Sequence, residues 1–288
     1  MTQGKLLILG RDGMLGSMLR NLALANSLEI VTTSHANYAP IQSHEGETIV
    51  NFDAVSDEIN NVLELHPRIS CIINCIGVVK QSTRAQDVDY MRKVNASFPL
   101  QLGKVASERS VKLIHLSSDC VFSGSKGDYR ESDIADASDS YGLSKLSGEE
   151  VVDSGAMVIR TSMIGREIGL NKRGLLEWFL NSRGKTVQGY TRVFFSGLTT
   201  RELAKVILEI IAQEKIFPGI WHIAGQKISK FELLERINSK FELSVRLLPV
   251  DEPMMDRSLV AQKSTALLGF RVPSWDSMLS NESWSDTN

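Results

Sequence analysis

Tyr141 and Lys145 stand four residues apart in a stretch with helical patterning. Positions i and i+4 of a helix share a face. A phenol with its ordinary pKa of about 10 is a poor acid–base catalyst at neutral pH. An ammonium beside it stabilises the phenolate and draws that pKa down. Such a pair can pass a proton to or from an oxygen while hydride moves at the neighbouring carbon. The same spacing on an exposed helix would be a surface pair only, so position decides. The pair follows an apolar run at 111–116 that leads into Ser117-Ser118-Asp119-Cys120-Val121-Phe122. Open α/β sheets bind ligands at the carboxyl ends of their strands. There the Ser118 hydroxyl can hydrogen-bond a reacting carbonyl.

A third motif, Gly10-Arg11-Asp12-Gly13-Met14-Leu15-Gly16, joins an apolar run at 6–9 to a helical pattern at 14–25. Glycines in that context permit a tight turn and bring backbone N–H groups to a pyrophosphate at the helix N-terminus. The spacing is G-x-x-G-x-x-G, which alone is a weak signal, the alternative being a plain strand-to-helix turn. The acid that holds the ribose 2′-hydroxyl of NADH usually lies about 20 residues further on. Val31-Thr32-Thr33-Ser34-His35 offers none. Arg11, inside the loop, could meet a 2′-phosphate, its alternative being a solvated loop cation. The expectation is therefore NADPH, with NADH possible, and the two Michaelis constants would decide.

These motifs need a frame. Apolar runs at 6–9, 28–32, 69–76, 111–116 and 157–159 alternate with helical patterns at 14–25, 55–65, 87–108 and 141–152. That alternation predicts βαβ units in a doubly wound, Rossmann-type parallel sheet with helices on both faces. After about residue 164 the rhythm breaks. Helical runs at 175–181, 199–212 and 230–240 and a short strand at 219–223 read as a smaller α/β lobe. The expected division is a cofactor-binding domain over 1–165 and a mainly substrate-binding lobe over 166–288, with some elements returning to the first domain. The polar tail at 281–288 reads as frayed.

Composition excludes several classes. The 288 residues carry 32 Lys+Arg against 34 Asp+Glu, with no basic run of the kind a nucleic-acid binder shows. No stretch reaches the roughly 18 apolar residues of a membrane span, and the short apolar start reads as a strand, not a leader. Cys71, Cys75 and Cys120 form no C-x-x-C pair, so neither a disulfide framework nor zinc is expected, and the location reads as cytoplasmic. The five histidines are scattered, and no catalytic metal is expected.

With these residues assembled, the chain resembles the extended short-chain dehydrogenase/reductases, and more narrowly the dTDP-4-dehydrorhamnose reductase family of surface-polysaccharide sugar pathways, nearly end to end. Gly10 to Gly16 matches the family's glycine loop, Asn74-Cys75-Ile76-Gly77 its segment along the cofactor, and Val94-Asn95-Ala96 its central helix. Ser117-Ser118-Asp119-Cys120-Val121-Phe122 resembles its S-T-D-Y-V-F, Tyr141 with Lys145 its catalytic pair, and Arg160-Thr161-Ser162 its R-T-S. Trp221-His222-Ile223-Ala224-Gly225 is similar to its sugar-lobe motif. The resemblance implies Ser118 as catalytic hydroxyl, Tyr141 as proton donor and Lys145 as the residue that tunes the tyrosine and holds the ribose. It places Asp119 on the sugar, Gly13, Met14 and Leu15 on the pyrophosphate, Phe52 and Asp53 near the adenine, and Cys75, Ile76 and Gly77 along the nicotinamide. A homodimer is plausible on the same ground.

The chain departs from the family twice: Cys120 replaces the tyrosine of S-T-D-Y-V-F, and Met163 replaces the tryptophan after R-T-S. Both positions line the sugar pocket, so the sugar and its nucleotide stay open; the added room would suit a bulkier sugar or a uridine nucleotide. The related dehydratases carry T-D-E, and Ser118-Asp119-Cys120 lacks that glutamate base, which argues against elimination. An NADPH-dependent reductase of a nucleotide-linked 4-keto-6-deoxy sugar is the leading expectation. An epimerase, and a nucleotide-binding regulatory subunit like that of methionine adenosyltransferase, are the alternatives. Among the smaller signals, Trp178 and Phe179 read as lobe core. Lys172, Arg173 and Arg257 could meet a diphosphate but read first as solvated cations.

Overall fold

The computed structural model describes residues 4–35, 43–168 and 172–281. The first half runs β1 (Lys5–Leu9), α1 (Met14–Ala25), β2 (Ile30–Ser34), β3 (Glu47–Asn51), α2 (Ile59–Leu65), β4 (Ile69–Asn74), α3 (Val88–Arg92), α4 (Phe98–Glu108), β5 (Lys112–Leu116), α5 (Ser140–Gly148) and β6 (Met157–Arg160). There follow β7 (Met163–Ile164), α6 (Leu175–Leu180), β8 (Thr186–Tyr190), β9 (Val193–Phe195), β10 (Leu198–Thr199), α7 (Thr200–Ala212) and β11 (Gly219–His222). The chain closes with β12 (Ile228–Ser229), α8 (Lys230–Lys240), β13 (Arg246–Val250), β14 (Met255–Asp256), α9 (Gln262–Leu268) and α10 (Trp275–Asn281).

Seven strands form one sheet in the order β11-β6-β5-β4-β1-β2-β3, every pairing parallel. The order reverses beside β1, the switch point at which such sheets bind ligands. Successive side chains of a strand point to opposite faces, so a strand covered on both sides is apolar throughout. Accordingly Leu6 and Ile8 enter the core beneath α1 and α7, whereas Leu7 and Leu9 enter the core beneath α2 and α4. The expected α/β sheet is thus present as a three-layer sandwich.

Two local features differ from the sequence reading. β3 is an additional edge strand, Glu-Thr-Ile-Val-Asn, which presents no apolar run. The helical pattern at 87–108 is one helix interrupted by a π turn over Lys93–Ser97, which carries the buried Asn95. Single π turns concentrate at functional sites. Beyond β6, β11 pairs with β6 in the main sheet, α7 packs on α1, and small strand pairs, β13 with β8 and β12 and β14 with β9, build the lobe.

Candidate active site

The glycine loop leaves β1 and turns straight into α1. Gly13 N donates to Gly10 O (3.1 Å), and Gly10 N donates to Thr33 Oγ1 (3.0 Å), which ties the loop to the end of β2. A Cβ at Gly16 would lie 2.1 Å from Gly10 O, so only glycine lets the helix sit this close to the loop. Gly13, at the N-cap, offers no side-chain cap, and the first N–H groups of α1 stay open to an anion. The loop therefore fits a pyrophosphate.

A cavity of about 220 Å³ adjoins it. Its lining brings together eight residues expected from sequence: Gly10, Asp12, Gly13, Phe52, Asp53, Cys75, Ile76 and Gly77. Thr33, Ser34, His35, Ala54, Tyr90 and Val94 complete it. At the β2 end Ser34 Oγ donates to Asp12 Oδ2 (2.6 Å), and His35 Nε2 lies 2.8 Å from Asp53 Oδ2. Met14 and Leu15 sit in the first turn of α1, where their backbone, not their side chains, can face a phosphate.

Arg11 departs from expectation. Its side chain is only 4 % exposed and turns inward, with Nη1 3.1 Å from Glu47 Oε1. Glu47 also accepts from Arg20 Nε (2.9 Å) and Thr32 Oγ1 (2.7 Å). A carboxylate with no exposed side-chain surface attracts the cations around it, so Arg11 clamps the loop to β3 and α1 and is not displayed for a 2′-phosphate.

The catalytic candidates converge on the carboxyl end of β5. Ser118, 8 % exposed, accepts from Cys120 N (3.1 Å) and donates to Asp119 Oδ1 (3.1 Å) at the start of a 3₁₀ turn. Asp139 caps α5 by accepting from Gly142 N (2.9 Å), which places Tyr141 in the first turn and Lys145 one turn on. A Cβ on Gly142 would lie 2.2 Å from Cys120 O, and one on Gly148 2.1 Å from Asn95 O. Those two glycines let α5 approach the serine turn and the π turn backbone to backbone. Asn95 fixes the cofactor-side loop: its Oδ1 accepts from Val78 N (2.8 Å), and its Nδ2 donates to Val78 O (3.0 Å) and Ser144 Oγ (3.0 Å). Lys145 Nζ donates to Leu116 O (2.6 Å).

Behind this front, Glu149 is buried with Arg160, whose Nη2 donates to it at 2.6 Å, and it accepts from Ser117 Oγ at 2.5 Å. The sequence reading singled out Asn95 only as part of the Val94-Asn95-Ala96 motif, with no role, and passed over Glu149 and the packing role of the two α5 glycines; the i,i+4 step from Lys145 to Glu149 was the signal available. Burial pushes the Tyr141 phenol above its ordinary value, reinforced by Cys120 and opposed by the nearby Ser118 hydroxyl. Burial lowers Lys145 to about 8, with Glu149 and Cys75 pulling the other way. The burial of the phenol works against a phenolate at this position.

Of the pocket departures, Cys120 is half-buried beside Ser118, and Arg257 Nη1 points at its sulfur (3.5 Å). Met163 lies in β7, half-buried against the core and paired with Leu198. Phe179 is core, whereas Trp178 is 46 % exposed, so the expected burial holds for one aromatic of the two. Lys172 lies 3.9 Å from Glu177, and Arg173 donates to Gln81 O (3.2 Å), so neither is a purely solvated cation. No group of three or more potential metal ligands occurs among the described residues.

The family described as RmlD substrate binding domain matches residues 4–282. A probable low-salt glycan biosynthesis reductase, Agl14, of Haloferax volcanii is 25% identical over 234 residues, covering 76% of this chain and 74% of its own. Methionine adenosyltransferase 2 subunit beta of Pongo abelii is 24% identical over 265 residues, covering 87% and 77%. A solved structure described as a hypothetical dTDP-4-dehydrorhamnose reductase from Sulfolobus tokodaii superposes with a TM-score of 0.80 at 27% identity, covering 96% of this chain and 98% of that one.

Proposed function

The chain belongs to the RmlD substrate binding domain family, and from that premise we propose that it reduces the carbonyl of a nucleotide-linked 4-keto-6-deoxy sugar, dTDP- or UDP-borne, with NADPH, NADH also serving. The observation that carries the reading is the convergence of Ser118, Tyr141 and Lys145 at the carboxyl end of β5, on the same edge of the sheet as the glycine loop and the cavity beside it. A bound nicotinamide supplies the hydride. Ser118 and Tyr141 hold the keto oxygen between two donors. As negative charge develops on that oxygen, both hydrogen bonds strengthen, and Tyr141 then delivers its proton. Lys145 and Asn95 position the phenol helix and the cofactor-side loop.

The same reading assigns residues 1–165 to cofactor binding and 166–288 mainly to the substrate. A homodimer acting in the cytoplasm belongs to it as well; no helix among the described residues is long and apolar enough to cross a membrane. A regulatory role is the second reading, favoured by the kinship with methionine adenosyltransferase 2 subunit beta. Against it stands the assembled set of Ser118, Tyr141 and Lys145, which binding alone does not require.

The test is NADPH oxidation with dTDP- and UDP-linked 4-keto-6-deoxy sugars generated in situ by a dehydratase. Tyr141→Phe is expected to lower turnover by about two to four powers of ten, the usual worth of a positioned proton donor, with cofactor affinity unchanged. Cofactor binding without oxidation would move the assignment to the regulatory role. Inversion of a sugar centre with no net oxidation would move it to an epimerase.

A further inference from the structure

Lys230 opens α8 behind a capping box, in which Ser229 Oγ accepts from Glu232 N (3.1 Å) and Glu232 Oε2 accepts from Ser229 N (3.1 Å). The box fixes where this side chain leaves the helix. Its ammonium rests 3.8 Å from the centroid of the Phe195 ring and stands in the field of Asp119 and Cys120, the two residues after Ser118. Neighbouring Lys227 shows what a paired lysine looks like in this lobe: its Nζ is 2.5 Å from Asp256 and 3.1 Å from Asp128. Lys230 has no such carboxylate within reach among the described residues. Burial lowers its pKa to about 8, only partly opposed by Asp119 and Cys120. Lys230 is half-buried, and a cation that gives up part of its water without gaining an anion is costly to the fold.

Two other cations converge on the same spot. Arg257 reaches the Cys120 sulfur, and Lys80 acts on that thiol from the opposite loop. Both share Asp139, at 2.6 Å from Lys80 and 3.6 Å from Arg257. Lys80 and Arg257 are thus paired through Asp139, and of the three cations the one without an ion-pair partner among the described residues is Lys230.

We propose that Lys230 is a specificity-determining residue that binds an anionic oxygen group of the substrate beside Cys120, either a carboxylate on the sugar or the nucleotide diphosphate. The inference rests on the sugar-nucleotide reading above and adds to it the residue and the charge that select the substrate.

The full-length chain, saturated with NADP⁺, is titrated by calorimetry with UDP, UDP-glucose and UDP-glucuronic acid, and in parallel with dTDP and dTDP-glucose. Lys230→Met is compared with Lys230→Arg, and unchanged NADP⁺ affinity in both shows that the cofactor half is intact. Loss of a charged hydrogen bond predicts about ten- to hundredfold weaker binding in Lys230→Met, largely restored in Lys230→Arg. A loss shared by all the nucleotides places the contact at the diphosphate. A loss confined to UDP-glucuronic acid, which the wild type then binds more tightly than UDP-glucose, places it at a sugar carboxylate. Wild-type binding that Lys230→Met leaves unchanged for every compound overturns this inference and spares the reductase reading. A wild type that binds none of them overturns both.

Discussion

Removing Lys145 should make the protein more stable while abolishing its turnover. Lys145 is 5 % exposed and makes a hydrogen bond to the Leu116 carbonyl. Its pKa of about 8 lies below the ordinary 10.5 because burial disfavours the ammonium. That gap of about 2.5 pH units corresponds to about 3 kcal/mol by which the folded state resists the charge at neutral pH. Lys145→Met removes the charge and keeps much of the volume. It also leaves the Leu116 carbonyl without this donor, at a cost of about 1 kcal/mol. The variant should therefore exceed the wild type by about 2 kcal/mol at pH 7. The folded pKa lies below the unfolded one, so the unfolded chain binds more protons between about pH 8 and 10.5. The wild type thus carries the full penalty below about pH 8 and sheds it as pH rises through that window. The variant has no penalty to shed, and the two should converge by pH 10. Urea unfolding at pH 7 and pH 10, with equal m-values, measures the difference, and NADPH oxidation measures the activity. A variant less stable than the wild type at pH 7, or a difference that pH leaves unchanged, would refute the reasoning and show that Glu149 fully compensates the ammonium.

Glu47→Ala leaves the buried Arg11 without its partner and should cost about 3–5 kcal/mol in denaturant unfolding, with a raised Michaelis constant for the cofactor as the glycine loop loosens. Burial pushes the Glu47 carboxyl up, but the hydrogen bonds from Arg20 and Thr32 and the charges of Arg20 and Arg11 hold it below the ordinary range. Its contribution is therefore present above the ordinary carboxylate pKa and lost as pH falls through the depressed folded value, and Glu47→Ala should flatten that acid limb. Arg11→Ala should destabilise the chain while leaving the ratio of NADPH to NADH Michaelis constants within about threefold, less than 1 kcal/mol of discrimination; a collapse of that ratio would restore Arg11 as a phosphate ligand. Gly16→Ala should lower stability by about 1–3 kcal/mol as the added Cβ meets the Gly10 carbonyl, with a melting point unchanged from wild type as the contrary result.

Chemistry carried by local spacing was legible in the sequence. The glycine loop, the Ser118 turn and the Tyr141–Lys145 step each occupy a few consecutive residues, and backbone geometry alone fixes what they can do. Longer-range features were less so. β3 escaped because an edge strand has a sheet neighbour on one side only, and its buried residue is Glu47, a carboxylate, where a reading by apolar runs looks for hydrocarbon. Arg11 and Glu47 are 36 positions apart, and only the packing of β3 beside β2 turns the loop cation inward. Lys230 at the head of a helix reads as a solvated lysine, until β12 and α8 carry it to residues 119 and 120.

For Tyr141 and Lys145, spacing places the two groups but does not set their protonation. Four residues of separation argue for an ammonium that draws the phenol down toward neutrality. That argument holds in water, where the competing terms are weak. In the folded chain, removal of water acts on both groups and moves them oppositely, the phenol up and the ammonium down, because each loses the solvation of its charged form. Both shifts act against the phenolate–ammonium form of the pair. A reductase that must give a proton to a new alkoxide needs the protonated phenol at the start of turnover. Running the same site backwards, as an alcohol dehydrogenase, would require a base in that position, against the desolvation of the phenol. The two α5 glycines, by letting the helix close onto the serine turn and the π turn, bring about the burial that shifts both groups.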